Sequence, residues 1–284
     1  MSTFHAVLLG IVQGLTEFLP ISSTAHVTLV GKLFGLIDNG NPESWTSFLA
    51  VVQLGTLAAV IAYFAADLLK MVQSVADDLK KHGVIQSVAQ YSVNTRLAIS
   101  IVVGTIPIGL AGIFFSDILH GVLTKSLYVI TGSVVTLAAF LWAAERVAQH
   151  TRSLSHLNFR DAILIGIAQT LALIPGSSRS GTTITAALFL GLTRHAAARF
   201  SFLLSIPAVL ASGLHELWSL TADPFQFGTT NLVVATICSA VSGYVAIAWL
   251  LKFLMSRTTM VFVWYRFGLG LFLVILLLGG MIQP

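Results

Sequence analysis

One unusual pattern occurs twice in this chain. Near the start the sequence runs Gly10-Ile-Val-Gln13-Gly-Leu-Thr-Glu17-Phe-Leu-Pro20-Ile-Ser22-Ser23-Thr24-Ala-His26. About 155 positions later it runs Gly166-Ile-Ala-Gln169-Thr-Leu-Ala-Leu-Ile-Pro175-Gly176-Ser177-Ser178-Arg179-Ser180-Gly181-Thr182-Thr183. With a one-residue slip, Gly-Ile-x-Gln, a Pro and a Ser-Ser pair superpose. Each copy sets Pro and hydroxyls within apolar sequence, where lipid offers broken backbone no hydrogen-bond partner. Such breaks persist only when surrounded by protein or a water-filled cavity. Their matched positions in two halves point to a binding site where the repeats meet.

The rest of the sequence places these breaks in a membrane. Of 284 residues, 56% are hydrophobic and 9% charged, against about 25% charged in ordinary soluble domains. With a mean hydropathy of +0.90, the class is an all-α polytopic membrane protein. Six stretches, 47–66, 96–115, 127–144, 200–220, 231–251 and 261–281, are long enough to span. The motif regions 4–36 and 160–193 read instead as pairs of short apolar segments. A helix of about 12 to 15 residues rises only ~20 Å, too little to cross a bilayer. Each is expected to form a re-entrant helical hairpin. Residues 1–144 and 145–284 then form two repeats, each a hairpin plus three spans, within one intramembrane domain.

An odd number of spans per half inverts the second repeat. Charge supports the inversion. Lys70, Lys80, Lys81, Arg96, Arg146, Arg152, Arg160, Arg194, Arg199, Lys252 and Arg257 fall on one side. The other has Lys32 and Lys125 with Asp38, Glu43, Asp117, Glu216 and Asp223. The Lys/Arg-rich side is expected to be cytoplasmic, so the first hairpin opens outward and the second inward. The net charge of +4 reflects this topology rather than a nucleic-acid partner. Cys238 is the only cysteine, so no intrachain disulfide forms, and residues 1–5 carry no signal-peptide cation.

Glu17 is the only carboxylate of the first hairpin and Arg179 the only cation at the tip of the second. An ionisable group at helix centre costs about 2.5–3.5 kcal/mol on insertion scales, so each needs a purpose. A buried Glu17–Arg179 pair serving structure alone is one reading. The functional one has Arg179 binding an anion through its forked donors while Glu17 ligates a cation or handles protons. Ser177, Ser178, Ser180, Thr182 and Thr183 beside Arg179 suggest an anion cradle at a helix start. N-capping alone accounts for one or two such hydroxyls. In the first copy, a helix starting at Ser22, Ser23 and Thr24 puts His26 one turn past Ser23. That spacing suits a serine activated by histidine, or a histidine attacking phosphorus itself. Gln13, one turn before Glu17, can hold a metal or a water but cannot act as a base.

Together the motifs Gln13 to His26 and Pro175 to Thr183 resemble the bacterial undecaprenyl-diphosphatase family, also called bacitracin-resistance proteins. The likeness spans essentially the whole chain. It implies hydrolysis of a C55 isoprenoid diphosphate to its monophosphate, which recycles the lipid carrier for peptidoglycan. It also implies a bacterial inner-membrane location, interlocked inverted repeats, a homodimer and a divalent cation, Mg²⁺ or Ca²⁺. The site residues carried over are Glu17, Ser22, Ser23, His26, Ser178, Arg179 and Thr183. Gln13 stands where some members have a second carboxylate, and Ala25 where Gly is common. With the residue reading, this makes Ser23, His26, Glu17 and Arg179 the expected catalytic set. Ser22, Thr24, Ser177, Ser178, Ser180 and Thr183 are expected to bind substrate, and Glu17 with Gln13 the metal. The nucleophile stays open between Ser23, His26 and water. The alternative from another class is a secondary transporter or polyprenyl-phosphate flippase, since inverted repeats with broken helices also mark that class.

Overall fold

The computed structural model describes residues 1–37, 42–82, 90–114, 126–219 and 228–282. Eleven α-helices occur among them. These are α1 (Thr3–Phe18), α2 (Ser23–Leu33), α3 (Pro42–Tyr63), α4 (Ala65–His82), α5 (Val93–Phe114) and α6 (Leu127–Val147). They continue with α7 (Phe159–Thr170), α8 (Arg179–Phe189), α9 (Arg194–Ser219), α10 (Thr229–Leu254) and α11 (Met260–Leu278). Six are long and apolar enough to cross a membrane: α3, α5, α6, α9, α10 and α11. These are the six spans expected. Lys125, Asp38, Asp117, Asp223 and His120 lie outside the described residues, as do the side chains of Glu43, His82 and Trp218.

The two motif regions form helical hairpins, α1–α2 and α7–α8. The arms of the first close at its open end, where the His5 and Phe34 rings lie 4.9 Å apart. At the same end Asn231, in the first turn of α10, donates to the Met1 carbonyl at 2.7 Å. There too Ser47 on α3 donates to Glu216 on α9 at 2.8 Å. The second hairpin opens at the opposite end of the bundle. Arg152 there pairs with Asp161 at the start of α7 and donates to the Leu190 carbonyl after α8. Arg199–Asp67 and Arg194–Glu145, each 2.5 Å, join the neighbouring helix ends. Arg152, Arg194 and Arg199, three of the basic residues expected on one side, are thus drawn to one end. The two hairpin turns meet between these ends.

Glycine explains why the halves interlock. Helix α1 runs along α10, and α7 along α5, so each half's first arm packs on a span of the other half. A Cβ at Gly10 would strike the Cys238 side chain at 2.8 Å as well as the Ala235 carbonyl. One at Gly166 would lie 3.0 Å from the Cα of Gly104. The repeated Gly of Gly-Ile-x-Gln therefore serves close backbone approach between helices, which small residues permit in membranes. The largest apolar cluster draws on both halves, from Phe18 and Leu57 to Phe202 and Ile247.

One element differs from expectation. Residues 67–95 read as a loop, yet most of the segment is helix α4. Its four Lys and Asp residues between 77 and 81 hide an apolar periodicity that a search for spans does not detect.

Candidate active site

Both hairpins turn in the same way. Ser22 and Ser178 are N-caps with left-handed φ of 75° and 72°. Each side-chain oxygen accepts from an N–H three residues on, Ala25 at 3.2 Å and Gly181 at 3.1 Å. Such backbone costs about 1–3 kcal/mol per residue for non-glycine and persists only where its surroundings enforce it. Its occurrence at both tips marks them as built features. Ser22 and Ser178 are separated by the same interval as Gly10 and Gly166, so the repeats superpose without the slip. The corrected register makes Ser23 the counterpart of Arg179, and both are first helical residues.

Those two residues converge on one carboxylate. Glu17 Oε1 accepts from Arg179 Nη2 at 2.6 Å, and Glu17 Oε2 accepts from Ser23 Oγ at 2.7 Å and Gln13 Nε2 at 2.9 Å. Glu17 and Gln13 are buried, while Ser23 is partly open. Two helix N-termini, which carry partial positive charge, thus face a single anion beside a guanidinium. The group is electropositive overall and suited to further negative charge.

Histidine takes other partners than the sequence suggests. His26 Nδ1 lies 2.7 Å from the Ser22 carbonyl and Nε2 lies 2.6 Å from Tyr265 Oη. A carbonyl only accepts, so Nδ1 carries the proton; Nε2 of the neutral ring then accepts from the Tyr265 hydroxyl. The rings are nearly parallel, at 12°. Ser23 and His26, one turn apart, share no hydrogen bond among the described residues, because Ser23 turns to Glu17 and His26 to α11. Tyr265 itself is 47% exposed, so this edge of the site opens sideways from the bundle.

The remaining hydroxyls fasten the two tips. Ser180 Oγ donates to the carbonyl of Leu19 at 3.0 Å and contacts that of Glu17 at 3.3 Å, and lies 3.1 Å from Ser178 Oγ. Thr183 Oγ1 sits 2.6 Å from Ser201 Oγ on α9, and Thr182 Oγ1 donates to the Arg179 carbonyl. Ser177 is fully buried with no partner for its hydroxyl, and half-buried Thr24 makes no side-chain hydrogen bond among the described residues.

Arg266 was missed in the sequence reading. It is wholly buried and donates to the carbonyls of Val134 (3.1 Å), Pro20 (3.3 Å), Gly176 (3.3 Å) and Ser177 (3.1 Å). One guanidinium therefore ties both turns to α6 and α11. A lone cation inside the apolar run Val261 to Leu278 was the available signal.

For a divalent cation the donors are one carboxylate, one amide and one hydroxyl. No group of three His, Cys, Asp or Glu able to hold a metal occurs among the described residues. The donors are hard oxygens of the type Mg²⁺ and Ca²⁺ prefer, and Mg²⁺ commonly takes one or two carboxylates plus substrate phosphates. The chemistry of the set fits an ion that shares its coordination with a diphosphate.

Comparison with known proteins bears on this arrangement. Residues 6–272 match the family described as bacitracin resistance protein BacA. A protein of Syntrophobacter fumaroxidans named undecaprenyl-diphosphatase is 47% identical over 95% of each chain. Proteins of the same name from Myxococcus xanthus and Chlorobium chlorochromatii are each 46% identical. Those alignments cover all of this chain and 92% and 100% of the relatives.

Proposed function

The chain belongs to the BacA family of bacitracin resistance proteins, and we propose that its two hairpin tips form the centre at which it acts on its lipid. It is a multi-pass membrane undecaprenyl-diphosphatase, hydrolysing undecaprenyl diphosphate to the monophosphate and inorganic phosphate. The observation that carries the site is the convergence of Ser23 and Arg179, at equivalent helix starts, on Glu17.

In this reading both hairpins are re-entrant, in inverted repeats, and the isoprenoid tail stays in the bilayer beside Tyr265. Arg179, Thr24 and the first N–H groups of α2 and α8 take the phosphates. Ser22, Ser178, Ser180 and Thr183 serve binding indirectly, through side-chain hydrogen bonds that hold the turns, and Ser177 through its carbonyl, which accepts from Arg266. Ser23 Oγ attacks the terminal phosphorus and gives its proton to Glu17 Oε2. The bond from that phosphorus to the bridging oxygen breaks, and the lipid monophosphate leaves with its charge offset by Arg179. Water then hydrolyses the phosphoserine: His26 Nε2 takes a proton from the water once the Tyr265 hydroxyl swings aside, the phosphorus–Oγ bond breaks, and Glu17 returns its proton to Ser23 Oγ as inorganic phosphate leaves. A divalent cation, Mg²⁺ or Ca²⁺, held at Glu17 and Gln13 would neutralise phosphate charge when bound. The Lys/Arg-rich end faces the cytoplasm, and the first hairpin opens toward the outer face of the bacterial inner membrane. A homodimer is part of the proposal.

Hairpins entering from opposite ends also favour a second reading, movement of the lipid phosphate across the membrane. Phosphate release by the purified chain tests the hydrolytic centre. Ser23→Ala and Arg179→Lys should each lower release by roughly 100-fold or more, since a point charge does not reproduce a planar fork. Near-normal release by both variants would overturn the assignment.

A further inference from the structure

Helix α4 (Ala65–His82) is divided lengthwise into three faces. One packs on the protein: Phe64 just before it, then Leu68, Met71, Val75 and Asp78, recurring every three or four residues. Met71 is buried, and Asp78 accepts from the Ser92 backbone N–H at 2.9 Å, fixing the helix to the start of α5. At its N-terminal end Asp67 is tied to Arg199 at 2.5 Å.

The second face is apolar and uncovered. Ala65, Leu69, Val72, Ala76 and Leu79 all lie exposed, with Leu69 at 58% and Val72 at 67%. At 3.6 residues per turn these five form one continuous stripe. The third face carries Lys70, Gln73, Asp77, Lys80 and Lys81, also exposed. Three lysines there stand against one exposed aspartate, and this is the end of the bundle that gathers Arg152, Arg194 and Arg199.

Neither a solvated helix nor a crossing one has this make-up. A helix standing in water would not expose five apolar residues in line. One in hydrocarbon would not carry Lys70, Asp77, Lys80 and Lys81. Faces toward protein, hydrocarbon and water, side by side, describe a helix lying flat at a membrane boundary. The helix joins the ends of spans α3 and α5, which places it at that boundary.

We infer that α4 is an in-plane interfacial helix that sinks its Leu69–Val72–Leu79 stripe among acyl chains and holds anionic phospholipid headgroups with Lys70, Lys80 and Lys81. Positive charge close to an anionic surface favours such headgroups, and salt weakens the preference. This surface is separate from the hairpin tips and does not depend on the reaction there.

The test uses the full chain with Cys238 replaced by Ala, reconstituted in vesicles of phosphatidylcholine with or without phosphatidylglycerol. Single nitroxide labels are placed at positions 69, 70, 72, 73, 76 and 77. Labels at 69, 72 and 76 should collide with oxygen, and those at 70, 73 and 77 with a water-soluble nickel chelate. In unlabelled protein, spin-labelled phosphatidylglycerol should be enriched several-fold over phosphatidylcholine at the protein boundary. The variant Lys70→Gln/Lys80→Gln/Lys81→Gln should lower that ratio by about half or more without altering the collision pattern. Equal nickel access on both exposed faces would overturn the in-plane placement. Apolar positions closed to both reagents would mean that a second copy or another protein covers them. Unchanged lipid selectivity in the triple variant would remove the headgroup assignment.

Discussion

Among single residues, Glu17 and Arg179 show best how charge in an apolar chain exposes a tertiary contact. Each is the lone ionised group of its segment, and they meet at 2.6 Å. Tyr265 is a different case, because 239 positions separate it from the imidazole it touches. Replacing Tyr265 with Phe removes the donor to His26 Nε2 while keeping the ring. Steady-state kinetics should show kcat reduced and KM little changed, with a smaller loss than the roughly 10²- to 10⁴-fold expected for His26→Ala. Equal losses would mean that Tyr265 does more than position the ring. Arg266→Met should lower the thermal midpoint strongly. It would leave the carbonyls of Val134, Pro20, Gly176 and Ser177 without this donor, at about 1–3 kcal/mol for each that finds no other. An unchanged midpoint would show that the strut is dispensable.

At the scale of elements, the six spans were legible because apolar runs near 20 residues have few other uses. The hairpins were legible because Pro and serine interrupt their runs. Helix α4 was not: its apolar residues come in short pairs broken by Lys, Asp, Gln and Ser, and only a helical projection lines them up. The register of the repeats was misread for a related reason. Pro20 and Pro175 look equivalent in sequence, but the strained caps are Ser22 and Ser178, so Pro20 corresponds to Gly176. The one-turn spacing of Ser23 and His26 admitted a serine–histidine pair or a histidine acting by itself. Sequence spacing gave no view of α11, whose Tyr265 claims the ring. Interlocking makes its own prediction. Gly166→Val would place side-chain carbon within backbone contact of Gly104, so overpacking should cost about 1–3 kcal/mol or more. Thermal unfolding in detergent measures it. Gly132→Val, at a position with open space around it, should be tolerated.

Over the whole molecule, two hairpins reach inward from opposite ends, and the proposed site draws on both tips. One brings Gln13, Glu17, Ser23 and His26, the other Arg179, and Arg266 clamps both turns. The most direct measurement is crosslinking across the tips in native membranes. Leu19→Cys and Ser180→Cys are introduced together into a Cys238→Ala background, at the contact where Ser180 Oγ lies 3.0 Å from the Leu19 carbonyl. The predicted result is rapid disulfide formation on mild oxidation, slowed when undecaprenyl diphosphate occupies the centre. Two thiols that each react with a maleimide yet never join would contradict a shared site.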